Sequence, residues 1–220
     1  VFTNELCIDA EVENNTIKGI AANTLVGEAV DGAKILVNGY EIVADGLSYN
    51  AANKEYAISS ANGLVALSKM TIKGNERVVL AANIDLTGVE FTGLSAFNPE
   101  SNNTFDGQNH TVSNWTYTGG ASDMGFFKSW VGNIKNVTFS NCSLKTAGRS
   151  AIVAASTYSN IENVHVVDCS IEDSYWACGL ISGLYNSGNI TNCSAKNSSV
   201  KSNGGTAAIV GVVNETAGTR

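Results

Sequence analysis

Short stretches in which apolar and polar residues alternate dominate the chain over residues 105–216. In the tripeptides that begin at Val137 and Val164, the apolar side chains stand at every second position. That period of two is typical of β-strands, in which successive side chains point to opposite faces. Asn, Gly and Ser residues cluster between these stretches, where they favour turns. The pattern therefore predicts many short strands rather than helices.

The strand pattern also repeats along the chain. Ile134, Ile161 and Ile190 occupy equivalent positions in three similar segments and are separated by 27 and 29 residues. Other apolar positions and several Asn positions keep the same spacing. A shorter unit at 110–117 aligns with 134–139 after 22 residues. Such regular recurrence is the mark of a solenoid, in which each repeat packs only on its neighbours.

These observations predict an all-β fold, a single-stranded parallel β-helix of about four to five coils of 22–29 residues each. Neighbouring coils of such a fold lie about 4.8 Å apart. We expect a right-handed coil, because parallel crossovers are right-handed almost without exception.

Asparagine is unusually frequent, with 26 occurrences in 220 residues. Its side chain tolerates the left-handed backbone of tight turns and can bond to the amide of an equivalent Asn one coil away. We therefore expect asparagine ladders in two columns. One comprises Asn114, Asn136, Asn163 and Asn192, and the other comprises Asn141, Asp168 and Asn197.

Residues 1–58 do not follow the repeat and are interpreted as a small β-rich N-terminal segment with a hairpin around Asn38-Gly39. The β-helix is predicted over 59–220, with clear repeats over 105–216. Leucines at helical spacing predict a short capping helix at about residues 60–70, because a solenoid needs its end covered. The next coil would begin close to the last residue, so we expect the native protein to continue beyond it.

Composition and charge exclude several classes of protein. The net charge of −7 and the lack of a basic cluster argue against a nucleic-acid partner. The single Pro excludes collagen, and the apolar stretches are too short for a membrane-spanning helix. The five cysteines form no C-x-x-C pair, so we expect no zinc site. We expect Cys142 and Cys169 to be buried free thiols, and we expect no cofactor.

One run of residues resembles a known repeat. The segment Cys178–Cys193 is similar to the GLUG motif of large bacterial surface proteins, which also occurs in regions N-terminal to immunoglobulin A peptidases. Val79–Leu86 and Phe105–Asn114 look like the usual start of such β-helices in gut Bacteroidales, so the resemblance covers roughly residues 59–216. It implies a secreted or surface-anchored bacterial protein, often an adhesin, with further domains in the full-length chain. Two copies lack the leading Gly of the motif: Ser150–Val153 and Ala207–Gly211.

Chemistry is weakly indicated. The two histidines, His110 and His165, are far apart and neither belongs to an H-E-x-x-H zinc motif, so a metallopeptidase is not expected. A polysaccharide lyase or glycoside hydrolase remains the enzymatic alternative, since hydrolysis needs two carboxylates that face each other across a groove. The candidates for this chemistry are Asp106, Asp123, Asp168, Glu172 and Asp173, with Lys145 and Arg149 as basic groups.

Binding is the leading hypothesis. Tyr175 and Trp176 interrupt a polar turn, and Trp130 and Tyr158 are candidates to extend the same aromatic patch. Large aromatic side chains at a solvated turn can stack on sugars or anchor a protein. We therefore expect a non-catalytic adhesin or stalk that binds host glycan or surface protein. A purely structural spacer beside a peptidase domain is the second alternative.

Overall fold

The computed structural model describes residues 5–8, 12–13, 16–17, 34–96, 102–120, 123–173 and 177–213. Within these ranges one helix and twenty-five strands are present. In chain order they are β1 (Glu5–Ile8), β2 (Val12–Glu13), β3 (Thr16–Ile17), β4 (Lys34–Val37), β5 (Tyr40–Ala44), β6 (Leu47–Asn50), β7 (Glu55–Ile58), α1 (Ala61–Ser68), β8 (Arg77–Leu80), β9 (Ile84–Asp85), β10 (Leu94–Ala96), β11 (Asn103–Ser113), β12 (Thr116–Thr118), β13 (Asp123–Met124), β14 (Phe127–Ser140), β15 (Ser143–Thr146), β16 (Arg149–Ser150), β17 (Ala154–Val167), β18 (Ser170–Asp173), β19 (Ala177–Gly179), β20 (Ser182–Ser187), β21 (Ile190–Thr191), β22 (Ser194–Lys196), β23 (Ser199–Lys201), β24 (Gly205–Ala207) and β25 (Val210–Val213).

The predicted parallel β-helix is confirmed. Each central coil contributes a long strand to one large sheet and then a short strand to each of two smaller sheets. The large sheet runs in the order β1-β4-β5-β6-β7-β8-β11-β14-β17-β20-β25, and the short strands β9, β10, β21 and β22 also pair with it. The smaller sheets are β12-β15-β18-β23, called sheet 2 here, and β13-β16-β19-β24, called sheet 3. All three are parallel along the coils.

The strand register corrects one predicted alignment. His110 lies opposite Val137, 27 residues on, and not opposite Ile134. The offset is 29 residues at the start of β11, where Phe105 faces Ile134, and the register shifts before His110. Two extra residues in this strand cause the difference, so the 22-residue spacing was wrong. Tyr117 consequently pairs with Leu144 in sheet 2.

The N-terminal strands continue the large sheet. β4 and β5 form the hairpin predicted around Asn38-Gly39, and β5, β6 and β7 follow it in antiparallel order. β7 then pairs in parallel with β8, which joins the hairpin region to the coils. Helix α1 begins after Ser60, whose hydroxyl accepts a hydrogen bond from the backbone N–H of Gly63 at 3.2 Å. Leu64 and Leu67 of this helix are buried, as their spacing predicts.

Aromatic rings fill the centre of the middle coils. Phe126 makes edge-to-face contacts with Phe105, Phe127 and Phe139, with ring centroids 5.0–5.7 Å apart. Trp115 packs against Phe126 and donates its indole N–H to a backbone carbonyl at 3.0 Å. Such ring pairs add to the stabilisation that burial of their apolar area provides. Cys142 and Cys169, both buried free thiols, lie on adjacent coils.

Candidate functional site

A ladder of side-chain hydrogen bonds runs along one turn of the β-helix. The amide nitrogen of Asn192 donates to the side-chain oxygen of Asn163, which donates to Asn136, both at 3.1 Å. Asn136 donates in turn to a carboxylate oxygen of Asp106 at 3.0 Å. The three asparagines have φ between 51° and 54°, a left-handed conformation that Asn adopts more readily than most residues. This ladder is therefore both a hydrogen-bond chain and a backbone requirement.

A second ladder stands at the next turn. Asn141 donates to Asn114 at 2.7 Å, and Asn114 donates to the carboxylate of Asp85 at 2.9 Å. Asn114 thus belongs with Asn141 and not with Asn136, which corrects the predicted column. Asp168 shares the left-handed backbone of this column, with φ of 54°. Because an ionised carboxylate has no proton to donate, it cannot continue the chain of amide donors from Asn141.

A third ladder was missed by the sequence reasoning. Asn160 donates to Asn133 at 3.1 Å, Asn133 donates to Asn102 at 3.4 Å, and Asn189 donates to Asn160 at 3.4 Å. The signal was available, because Asn133, Asn160 and Asn189 repeat at the same 27- and 29-residue spacing as the isoleucines. The three ladders together hold neighbouring coils in register on the outside of the solenoid.

A shallow depression of about 440 Å³ lies on the outer side of the central coils and is called the Tyr158 surface here. Tyr158 is its most prominent side chain, with 44% of its surface exposed. Ser129 and Ser156 face each other in register on β14 and β17. Asn186 donates its amide N–H to the hydroxyl of Ser156 at 3.3 Å. The lining residues are Asp123, Ser129, Arg149, Ser156, Tyr158, Leu184 and Asn186.

A bidentate ion pair forms one wall of the Tyr158 surface. Arg149 donates through Nε and Nη2 to the two carboxylate oxygens of Asp123, each at 2.6 Å. The two residues lie opposite each other on β16 and β13 of sheet 3. Because the fork of the guanidinium matches the carboxylate, this geometry fixes both side chains more firmly than a single contact would. The wall offers polar atoms but little net charge.

The predicted aromatic patch is only partly supported. Tyr158 is exposed, as expected, but Trp130 is fully buried and packs against Phe127 at 4.7 Å between ring centroids. The prediction that Trp130 contributes to a surface patch is therefore wrong. Tyr175 and Trp176 lie outside the described residues. In the sequence they directly precede Ala177, the first residue of β19.

The carboxylates considered for hydrolysis have other partners. Asp106 contacts Arg77 at 3.1 Å and Lys135 at 3.5 Å. Burial raises the pKa of Asp106, but hydrogen bonds from the Gln108 backbone and the Asn136 amide, together with the nearby cations, outweigh it and leave the pKa below its ordinary value. Two further candidates form an exposed ion pair with each other at 3.6 Å: Lys145 and Glu172.

The two histidines lie on the outer face and are joined to ladder residues or turns. His165 contacts Ser194 through Nδ1 at 2.9 Å and the Asn163 oxygen through Nε2 at 3.1 Å. His110 contacts Asn83 at 3.3 Å. Within the described ranges, no group of three or more His, Cys, Asp or Glu side chains is arranged to hold a metal ion.

A larger groove of about 610 Å³ lies at the N-terminal end, between the hairpin strands and the outer face of β7, β8 and β11; it is called the hairpin groove. Its lining is largely apolar, with Ile42 46% exposed. At one side Tyr40 donates a short hydrogen bond to Glu55, which also pairs with Arg77 at 2.9 Å. Burial and the bond to Glu55 raise the pKa of Tyr40 to about 12.

Comparisons with known proteins add little to the fold. No family model and no curated protein matches the chain. A crystal structure of "a putative immunoglobulin A1 protease" from Bacteroides ovatus is similar, with 19% sequence identity and a TM-score of 0.47. The match covers 74% of this chain and 62% of that one, so this chain spans less than two thirds of the length of that protein. In the part of the chain that the structure describes, no helix has the length and apolar character needed to cross a membrane.

Proposed function

We propose that the chain is a non-catalytic β-helical segment of a secreted or cell-surface bacterial protein that binds host glycan through the Tyr158 surface. The observation that carries the proposal is the exposed ring of Tyr158, on a strand paired on both sides within the large sheet. The resemblance of Cys178–Cys193 to the GLUG repeat supports the location and an adhesive role.

The chemistry of the surface suits a sugar. The apolar face of a pyranose stacks on an aromatic ring, and its hydroxyls bond to short polar side chains. Ser129, Ser156 and Asn186 supply hydroxyl and amide groups around Tyr158, and the Arg149–Asp123 pair adds further donors and acceptors at one side. Because these groups are held by strand pairing and by mutual hydrogen bonds, little conformational entropy would be lost on binding.

A glycan array followed by titration tests the proposal. Tyr158→Ala should weaken binding by roughly five- to tenfold or more, since the stacking face is removed. Tyr158→Phe retains the ring and should bind nearly as well. The double variant Tyr175→Ala/Trp176→Ala tests the predicted neighbouring patch, and Thr116→Ala on sheet 2 is a control for changes elsewhere on the β-helix.

Other outcomes would select the alternatives. Glycan binding that survives both aromatic variants would refute the proposed surface while leaving the fold intact. Release of reducing sugars or unsaturated products from polyuronic acids would favour a carbohydrate-active enzyme, although the ion pairs of Asp106 and Asp123 favour structural roles for these carboxylates. Failure to bind any glycan or host protein would favour a structural spacer.

A further inference from the structure

Three polar atoms inside the β-helix fall in one register column and have no hydrogen-bond partner among the described residues. They are the indole Nε1 of Trp130, the hydroxyl of Thr157 and the hydroxyl of Tyr185. Trp130 lies opposite Thr157 on β14 and β17, and Thr157 lies opposite Tyr185 on β17 and β20. Trp130 and Thr157 are 0% exposed. We call this set the interior polar column.

Comparable groups nearby do have partners. The indole N–H of Trp115 donates to a carbonyl at 3.0 Å, and the hydroxyl of Ser159 donates to the carbonyl of Trp130 at 3.2 Å. The hydroxyl of Ser150 lies 2.8 Å from the sulfur of Cys178. The unpartnered hydroxyls outside the column belong to Thr146 and Ser182. Three unpartnered groups in successive coils of one column are unusual, since the large majority of buried polar side-chain atoms in proteins are hydrogen-bonded.

We propose that the interior polar column binds two buried water molecules, one between Trp130 and Thr157 and one between Thr157 and Tyr185. Adjacent coils are about 4.8 Å apart, which is too far for a direct bond between equivalent atoms but suits a bridging water. The indole only donates, whereas the two hydroxyls both donate and accept. A water can therefore accept from Trp130 and donate to Thr157, and a second can join Thr157 to Tyr185.

The column is independent of the Tyr158 surface, although it lies on the same strands. Tyr158 follows Thr157 directly and points to the outside, because successive side chains of a strand face opposite sides. The waters would satisfy the inward face and leave the outer face unchanged. Failure of the glycan proposal would therefore leave this one standing, and the reverse also holds.

The test compares variants that remove one hydroxyl with almost no change of shape. Thr157→Val and Tyr185→Phe should each lower the equilibrium constant for folding by roughly two- to tenfold, because each removes a partner of a bound water. The double variant should lose less than the product of the two effects, since both act on one water. Thr138→Val, on the outer face of β14, is the matched control and should change folding little.

The opposite result is equally clear. If Thr157→Val leaves the folding constant unchanged or raises it, the hydroxyl has no water to hold and the proposal is overturned. A crystal structure of the unaltered protein provides a second measurement that does not depend on variants that fold. Electron density within hydrogen-bond distance of both Trp130 Nε1 and Thr157 Oγ1 would support the proposal, and a dry column would overturn it.

Discussion

One register column of the large sheet changes character between the N-terminal end and the central coils. Ala57 and Val79 face each other on β7 and β8, and the next members are Asp106, Lys135 and Glu162. All five occupy outward positions, because they alternate with the inward core residues. The outer face is thus apolar at the hairpin end and alternately charged over the later coils.

The difference shows that the two regions solve different burial problems. Val79 is only 3% exposed although it points away from the interior of the β-helix. It lines the hairpin groove, where the large sheet is concave and strands β4 to β6 flank it. The coils further on bury only their inward face, so their outward positions carry ions and amides. The same strand geometry therefore supports a two-sided sheet at one end and a one-sided sheet at the other.

A reciprocal pair of substitutions in this column should break the comparison most strongly. Val79→Lys places an ammonium group at a buried position and should lower the free energy of unfolding by about 3 kcal/mol or more. Lys135→Val removes a half-exposed partner of Asp106 and should change it by less than about 1 kcal/mol. Urea denaturation followed by circular dichroism measures both. Equal effects of the two changes would show that the column is uniform after all.

The ladder position Asn163 should give an intermediate effect. Asn163→Ala loses the amide bonds and places a Cβ-bearing residue without them at a φ of 53°, so we expect about 2 kcal/mol of destabilisation. Asn163→Gly keeps the backbone comfortable and should cost about 1 kcal/mol. The difference between the two variants isolates the backbone contribution. If they destabilise the protein equally, the left-handed conformation is not what selects Asn here.

Acid should have the smallest of these effects. The folded pKa of Asp106 lies below its ordinary value of 3.8, so its contribution is complete above that value and is lost as the pH falls through the folded pKa. Asp106→Asn should therefore reduce the loss of stability between about pH 5 and pH 2, by less than about 1 kcal/mol. Thermal melts across that range measure it, with Glu172→Gln as an exposed control. A steeper acid dependence in Asp106→Asn would contradict the assignment.

Much of the fold follows from the sequence because each coil repeats its own pattern. Ile134, Ile161 and Ile190 recur at the observed coil lengths, since inward columns must align for the core to be continuous. The first coil was misaligned because the two extra residues before His110 leave local sequence similarity intact while shifting the register. A register shift of this kind depends on pairing with the next strand, which a single segment cannot reveal.

The candidate site was less predictable. Trp130 and Val131 are adjacent and both buried, so strand alternation alone could not show which of them faces the interior. Packing against Phe127 places Trp130 inside. The Asp123–Arg149 pair depends on sheet 3, whose strands are only two or three residues long and carry almost no periodic signal. Short strands of this kind form because the coil brings them together.

The asparagine ladders also give the solenoid an electrical direction. Every amide in the ladders donates toward the preceding coil, so the side-chain dipoles point the same way and add, much as peptide dipoles add in a helix. The positive end of two ladders meets a carboxylate, Asp85 in one and Asp106 in the other. The bond from Asn114, with those from Thr87, lowers the pKa of Asp85. A stack of neutral amides thus has a polarity that a negative charge at its first coil complements.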